Sequence, residues 1–220
     1  MKKFFVATLS AMMLISTTTF AAQSEIKLPA FNLQGELSVM NALNQRTSSR
    51  NFVDKDLTVE QLSKILWAAN GVNRHDVQKR VNPVANGVYS VEVYAVTREG
   101  IYLYDAPNHK LNLIAEGDFR MATTSGQRFV GNAALNLVYV ENPGAWSTAR
   151  KIPPRDAQIS CANITVGAMV QSVALAAQTE GLGNCVRGSI NRDEFKKVAK
   201  LSDDQNILLA QSVGVISVSN

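Results

Sequence analysis

Residues 57–74 read "LTVEQLSKILWAANGVNR", and this stretch decides where the fold begins. Thr58 is followed three positions on by Gln61, the spacing at which a hydroxyl and a side-chain amide satisfy each other's free backbone N–H groups at a helix N-terminus. Leu62, Ile65, Leu66 and Ala69 then recur at helical period and make one apolar face. Gly71 stops the run. A capped helix is predicted here, and its apolar face requires a core to lie on.

Upstream lies "NQRTSSRNF" at 44–52. Arg46 and Arg50 flank Thr47, Ser48 and Ser49, so two guanidinium forks and several hydroxyls can gather around one anion, phosphate above all. Alone, the pattern also fits a solvated polar turn. Residues 22–40 carry few periodic signals and read as an extended arm.

Downstream, "NPVANGVYSVEVYAV" at 82–96 opens with a loop in which Asn86 and Gly87 suit a left-handed turn. Val91, Val93 and Ala95 alternate with their neighbours, residues 98–100 turn the chain, and 101–104 return it, which reads as a β-hairpin. Residues 118–131 read as a short helix and "LNLVYV" at 135–140 as a buried strand. A proline-rich loop follows. Residues 156–180 form a long helix rich in Gly and Ala, apolar on most sides, with Gly181 at its end. Such a helix belongs in a large core or a subunit interface. "GLGNCVRGSI" at 181–190 reads as a cap and turn where Gly183 and Gly188 admit a ligand close to the backbone and Arg187 supplies a cation. A helix over 192–201 and a strand-like tail complete the chain. The element order predicts an α+β fold in one domain, with a mostly antiparallel sheet flanked by helices.

The chain opens "MKKFFVATLSAMMLISTTTFAAQ": two lysines, an apolar run and small residues before Ala22. This pattern is that of a Sec signal peptide over residues 1–21, leaving a domain over 22–220. No cysteine follows the run to carry a lipid, so no stable membrane anchor is expected after cleavage, and the mature chain is expected in the periplasm or outside the cell. The net charge falls from +4 to +2 when Lys2 and Lys3 leave, too small a surplus to imply nucleic acid or a membrane surface. Cys161 and Cys185 either pair or remain buried thiols. With two histidines and no cysteine pair at ligand spacing, no metal site is expected. His75 and His109 read as surface residues, and no nucleophile–base pair assembles, so no side chain is assigned as catalytic.

Taken in order, "RTSSRNF", "LTVEQLSKILWAANGVNR", "NPVANGVYSVEVYAV" and "GLGNCVRGSINRDEF" resemble the FMN-dependent nitroreductase superfamily, in its thiazole/oxazole dehydrogenase-like (SagB-type) branch. The resemblance runs from about Arg46 to Ile216. It implies an interlocked homodimer with FMN at each of two interface sites. Arg46, Thr47, Ser48 and Arg50 would meet the phosphate, ribityl chain and polar ring edge, and Gln127 would also contact the flavin. Pro83, Val84, Ala85 and Asn86 would come from the partner subunit. Arg187 and Gly188 would lie along the isoalloxazine.

The implied activity is electron transfer from a reduced nicotinamide or another donor, through FMN, to a small acceptor such as a nitroaromatic or quinone. Two alternatives stand beside it: a flavin- or ligand-binding dimer without turnover, and an azoline dehydrogenase acting on a peptide. Val84 stands where the family usually has serine, and no lysine or arginine lies near Asn220, so the phosphate would rest more heavily on Arg46 and Arg50.

Overall fold

The computed structural model describes residues 22–32 and 37–217; the signal peptide expected over 1–21 lies outside them. The elements are β1 (Glu25–Lys27), α1 (Val39–Gln45), α2 (Val59–Asn70), β2 (Val72–Arg74), β3 (Lys79–Arg80), β4 (Val91–Val96), β5 (Gly100–Asp105), β6 (Lys110–Glu116), β7 (Leu135–Glu141), α3 (Arg155–Thr179), β8 (Gly183–Arg187), α4 (Arg192–Val198) and β9 (Asn206–Gly214). Seven strands form one sheet in the order β1-β6-β5-β4-β7-β9-β8, every neighbouring pair antiparallel. The expected α+β class is what the chain adopts.

Side-chain alternation divides the central strands between two cores. Val91, Val93 and Ala95 of β4 and Leu135, Leu137 and Tyr139 of β7 face α2 and α3, where Ile65, Leu66, Val166, Met169 and Val173 meet them. Tyr94, Val96, Val138 and Val140 face the other way, onto Phe195 and Ala199 at α4. β7 is buried along its whole length, which explains why its sequence is apolar at successive positions instead of alternating.

α2 starts as its sequence requires. Gln61 N–H donates to Thr58 Oγ1, Thr58 N–H donates to Gln61 Oε1, both at 3.1 Å, and Gly71 is the C-cap. At the other end of the packed pair, Glu180 at the close of α3 receives Lys64 Nζ of α2 at 2.7 Å. α3 is long and apolar enough to cross a membrane by length and composition, yet it packs on α2 and the sheet. Its first residue, Arg155, makes a two-pronged pair with the fully buried carboxylate of Glu141. Gly181 (φ +66°) lets α3 end in a double bond, Gly181 N–H to Gln178 O and Leu182 N–H to Ala177 O, the Schellman arrangement.

Several expectations need correction. The arm over 22–40 contains β1, which pairs with β6, and the start of α1, capped by Ser38. Residues 118–131 hold two 3₁₀ turns, Arg120–Thr123 and Arg128–Gly131, and no α-helix. The reason is local: Asp118 accepts from the Arg120 backbone and guanidinium, while Gly126 sits at φ +107°. The turn expected after Gly181 is the edge strand β8. Cys161 and Cys185 are both free. His109 is half-buried, not a surface residue: Nδ1 lies 2.8 Å from Tyr104 Oη and Nε2 2.7 Å from Ser63 Oγ.

Candidate functional site

The segment 46–52 has no helix or strand of its own, so its backbone groups must be satisfied by neighbours. On one side, Ser48 bridges Asn184 of β8 and Ser49 N–H donates to the Asn184 carbonyl at 2.8 Å. On the other, Val53 N–H donates to Val215 O and Ser217 N–H to Asn51 O, as the chain beyond β9 runs back along it. Phe52 is the buried anchor. Contact with β8 is close because Gly183 has no side chain: a Cβ there would stand 2.2 Å from Ile216 Cγ2 and 2.9 Å from Ser49 Cβ.

With the backbone held, the polar side chains are left facing outward. Thr47, Ser48 and Arg50 are exposed and Arg46 is half-buried. Among the described residues neither guanidinium has a carboxylate partner. Arg50 lies over the Phe129 ring at 5.9 Å, and Phe129 packs on Phe52 at 6.1 Å. This places the 127–129 turn beside the arginine segment. Gln127 Oε1 in that turn is sealed from solvent and accepts no hydrogen bond, a costly state for an amide oxygen.

Arg187 is placed differently from what its motif suggests. The residue is 3% exposed and its guanidinium points into the protein. Nε donates to Ser212 Oγ at 3.0 Å, Nη1 to Thr123 O at 2.8 Å, and Nη2 to Thr123 Oγ1 and Asn136 Oδ1. Burial pushes its pKa down to about 10, which leaves it charged at neutral pH. Its donors tie the 120–123 turn to β7, β8 and β9, and that turn leads directly into Gln127. Arg187 thus fixes Thr123, four residues before Gln127, while the following residue, Gly188, faces open space: beyond its chain neighbours no described atom lies within 4 Å of where its Cβ would be, and its φ is not positive. Nothing among the described residues requires glycine there.

Pro83, Val84, Ala85 and Asn86 are not brought to this cluster. They form the loop around the 3₁₀ turn Ala85–Gly87, with Asn86 at φ 55° and Gly87 at φ +71°, as the left-handed expectation required. Buried Asn82 fixes the loop, donating to Ala68 O and Ala69 O and receiving Ser172 Oγ of α3 at 2.6 Å. Asn86 borders a cavity of about 620 Å³ with Arg150, Lys151, Pro153 and Pro154. Sequence reading passed over Arg150 and Lys151; a cation pair just before two prolines was the available signal. Asn184, between Gly183 and Cys185 in β8, is likewise a poor strand former whose place in a strand marks a special contact.

The residues present fit a flavin phosphate ester: two arginines with no carboxylate partner among the described residues, a serine between them and a glycine facing open space. Among the described residues no cluster fit for a metal ion occurs.

Residues 43–215 match the Nitroreductase family, and the chain belongs to that family of oxidoreductases. A candidate nitroreductase of Methanocaldococcus jannaschii is 28% identical over 194 residues, covering 84% of this chain and 94% of that one. A solved nitroreductase-like structure from Ralstonia eutropha JMP134 is 34% identical with a TM-score of 0.82, covering 90% and 91% of the two chains. Two more distant structures share the fold. One is the Escherichia coli microcin synthetase McbBCD complex with truncated pro-MccB17 bound (TM-score 0.66, 20% identity, 99% of this chain and 85% of that one). The other is the NADPH:FMN oxidoreductase of Vibrio harveyi complexed with NAD+ (TM-score 0.60, 17% identity, 82% and 69%). The fold is therefore the nitroreductase-like α+β fold.

Proposed function

We propose that this protein is an FMN-dependent oxidoreductase that passes electrons from a reduced nicotinamide, or another donor, to a small acceptor such as a nitroaromatic or quinone. The observation that carries this reading is that Arg46 and Arg50, neither with a carboxylate partner among the described residues, flank Ser48 on a segment whose backbone is held by β8. A bound phosphate would take charge-assisted bonds from the two arginines and a hydroxyl bond from Ser48. Gly188 leaves room for a flat ring against the backbone, and Gln127 Oε1, sealed in the structure, would have to turn outward to accept from a ligand N–H. When bound, FMN supplies the electron-carrying chemistry that these side chains do not.

The working form is a homodimer. α3 leaves Ser160, Asn163, Ile164, Gly167 and Gln171 exposed along one stripe, with Ile164 at 73%. Beside it α1 exposes Val39, Met40 and Leu43. Gly167 costs about 1 kcal/mol against alanine in mid-helix and meets nothing within 4 Å, so its use fits close approach by a second chain. In that dimer the loop at Pro83, Val84, Ala85 and Asn86 would complete the partner's flavin site. The opening 21 residues would direct the chain out of the cytoplasm, and FMN would then be acquired outside it.

The test is to purify the protein, load it with FMN and add NADH or NADPH, then a nitroaromatic or quinone. Bleaching of the flavin absorbance and its recovery support the reading. Bound flavin that neither donor reduces would leave a binding protein without this turnover.

A further inference from the structure

A second cavity, of about 740 Å³, has no lining residue in the arginine segment 46–52. It opens between β1, the start of α2 and the ends of β4 and β7. Its wall is mostly apolar, built from Ile26, Leu57, Leu62, Leu111 and Leu135, and it is of the size that holds small organic ligands.

One polar group inside is left over. Tyr102 lines this cavity and is 1% exposed, yet its hydroxyl makes no hydrogen bond to any described residue. Nor is its oxygen among the sealed, unpartnered atoms, which belong to Asn70, Arg80, Gln127 and Trp146. The other buried tyrosines differ: Tyr94 is paired with Glu92, Tyr104 with His109 and Tyr139 with Gln211. Burial, with Glu99 and Glu116 nearby, holds the Tyr102 phenol above its ordinary range, so it remains a donor at neutral pH.

The rim argues against a charged ligand. Glu25 pairs with Lys110 at 2.6 Å, Asp56 with Arg98 at 2.8 Å, and Glu99 accepts from Thr97 Oγ1 at 2.6 Å. Lys27 stands exposed at the mouth, where water screens it.

We propose that this cavity is a binding site for a neutral, largely apolar molecule bearing one carbonyl-type acceptor, which takes its hydrogen bond from Tyr102. The site is independent of flavin and of the proposed electron transfer. The probe is 1-tetralone, an aryl ketone too hard to reduce to act as an acceptor here, with tetralin as the hydrocarbon lacking the carbonyl. Binding to the purified full chain is followed by protein NMR shifts at 105–116 and 57–62, with and without FMN. Wild type is expected to bind tetralone more tightly than tetralin.

Tyr102→Phe should weaken tetralone by about 3- to 10-fold, the effect of one neutral hydrogen bond, and leave tetralin unchanged. Val59→Trp, at an exposed cavity-lining position, should reduce both without altering the melting temperature. Absence of tetralone binding in wild type, or equal tetralone affinity in Tyr102→Phe, would overturn the proposal, whatever the flavin experiments give.

Discussion

Ser49 N–H donates to the Asn184 carbonyl across 2.8 Å, so the irregular segment carrying Arg46 and Arg50 is held by β8 as though it were an eighth strand. The bond leaves the side chains of Arg46, Thr47, Ser48 and Arg50 facing outward while Phe52 is buried. It also depends on Gly183, whose missing Cβ is what brings Ser49 within contact of β8.

If Arg46 and Arg50 hold a phosphate, removing one costs a charge-assisted bond, about 1.5–3 kcal/mol, or roughly 10- to 100-fold in FMN affinity. Arg50→Ala should show this in a flavin fluorescence titration. Its unfolding free energy should fall by no more than about 1 kcal/mol, since the guanidinium is exposed and its Phe129 contact is worth ~0.5–1 kcal/mol. Full retention of FMN by Arg50→Ala would remove that residue from the site.

Arg187 is the reverse case, structural first. Arg187→Met would leave the Thr123 carbonyl and Asn136 Oδ1 without these donors in a buried setting. A loss of about 3 kcal/mol or more in urea unfolding is expected. Arg187→Lys should recover little of it, because one ammonium cannot span the four bonds of the planar fork. Weaker flavin binding should accompany the loss, through a displaced Gln127. An unchanged urea midpoint in Arg187→Met would contradict the positioning role.

His109 carries a pH dependence. Ser63 Oγ donates to Pro29 O at 2.6 Å, so His109 Nε2–H donates to Ser63 and Nδ1 accepts from Tyr104 Oη. Burial lowers the imidazole pKa from its ordinary 6.5, partly offset by the Pro29 carbonyl. The unfolded chain therefore binds the proton first, and the stabilisation present above about pH 6.5 is lost as pH falls through the lower folded value. Melting temperature should fall from pH 7 to pH 5 more steeply for wild type than for His109→Asn. Asparagine suits the φ of 47° at this position. Parallel pH profiles would show that His109 does not report on the fold.

Gly167→Trp tests the dimer. A Cβ at this exposed position meets no described residue within 4 Å, so the monomer should fold while association fails. Light scattering should show a dimer for wild type and a monomer for the variant. A monomeric wild type would contradict the proposed working form.

Much of this architecture was legible because its signals are local. Thr58 and Gln61 carry the start of α2 in four residues, Asn86–Gly87 name their own turn, and the alternation of Val91, Val93 and Ala95 marks β4. What was not legible depends on tertiary partners. β1 is three residues that become a strand because Lys110 to Asn112 of β6 lie opposite. β8 contains Gly183 and Asn184, both poor strand formers, and is extended only because β9 pairs along it. In the site, the arginines and Gln127 could be named from their motifs, but the inward turn of Arg187 could not: nothing near it in sequence announces Thr123, Asn136 and Ser212.

The most direct measurement is the absorbance spectrum of purified protein incubated with FMN and then desalted. Retained flavin bands at about one FMN per chain are expected, one site being formed for each copy of the arginine segment. Colourless protein after that treatment would contradict it.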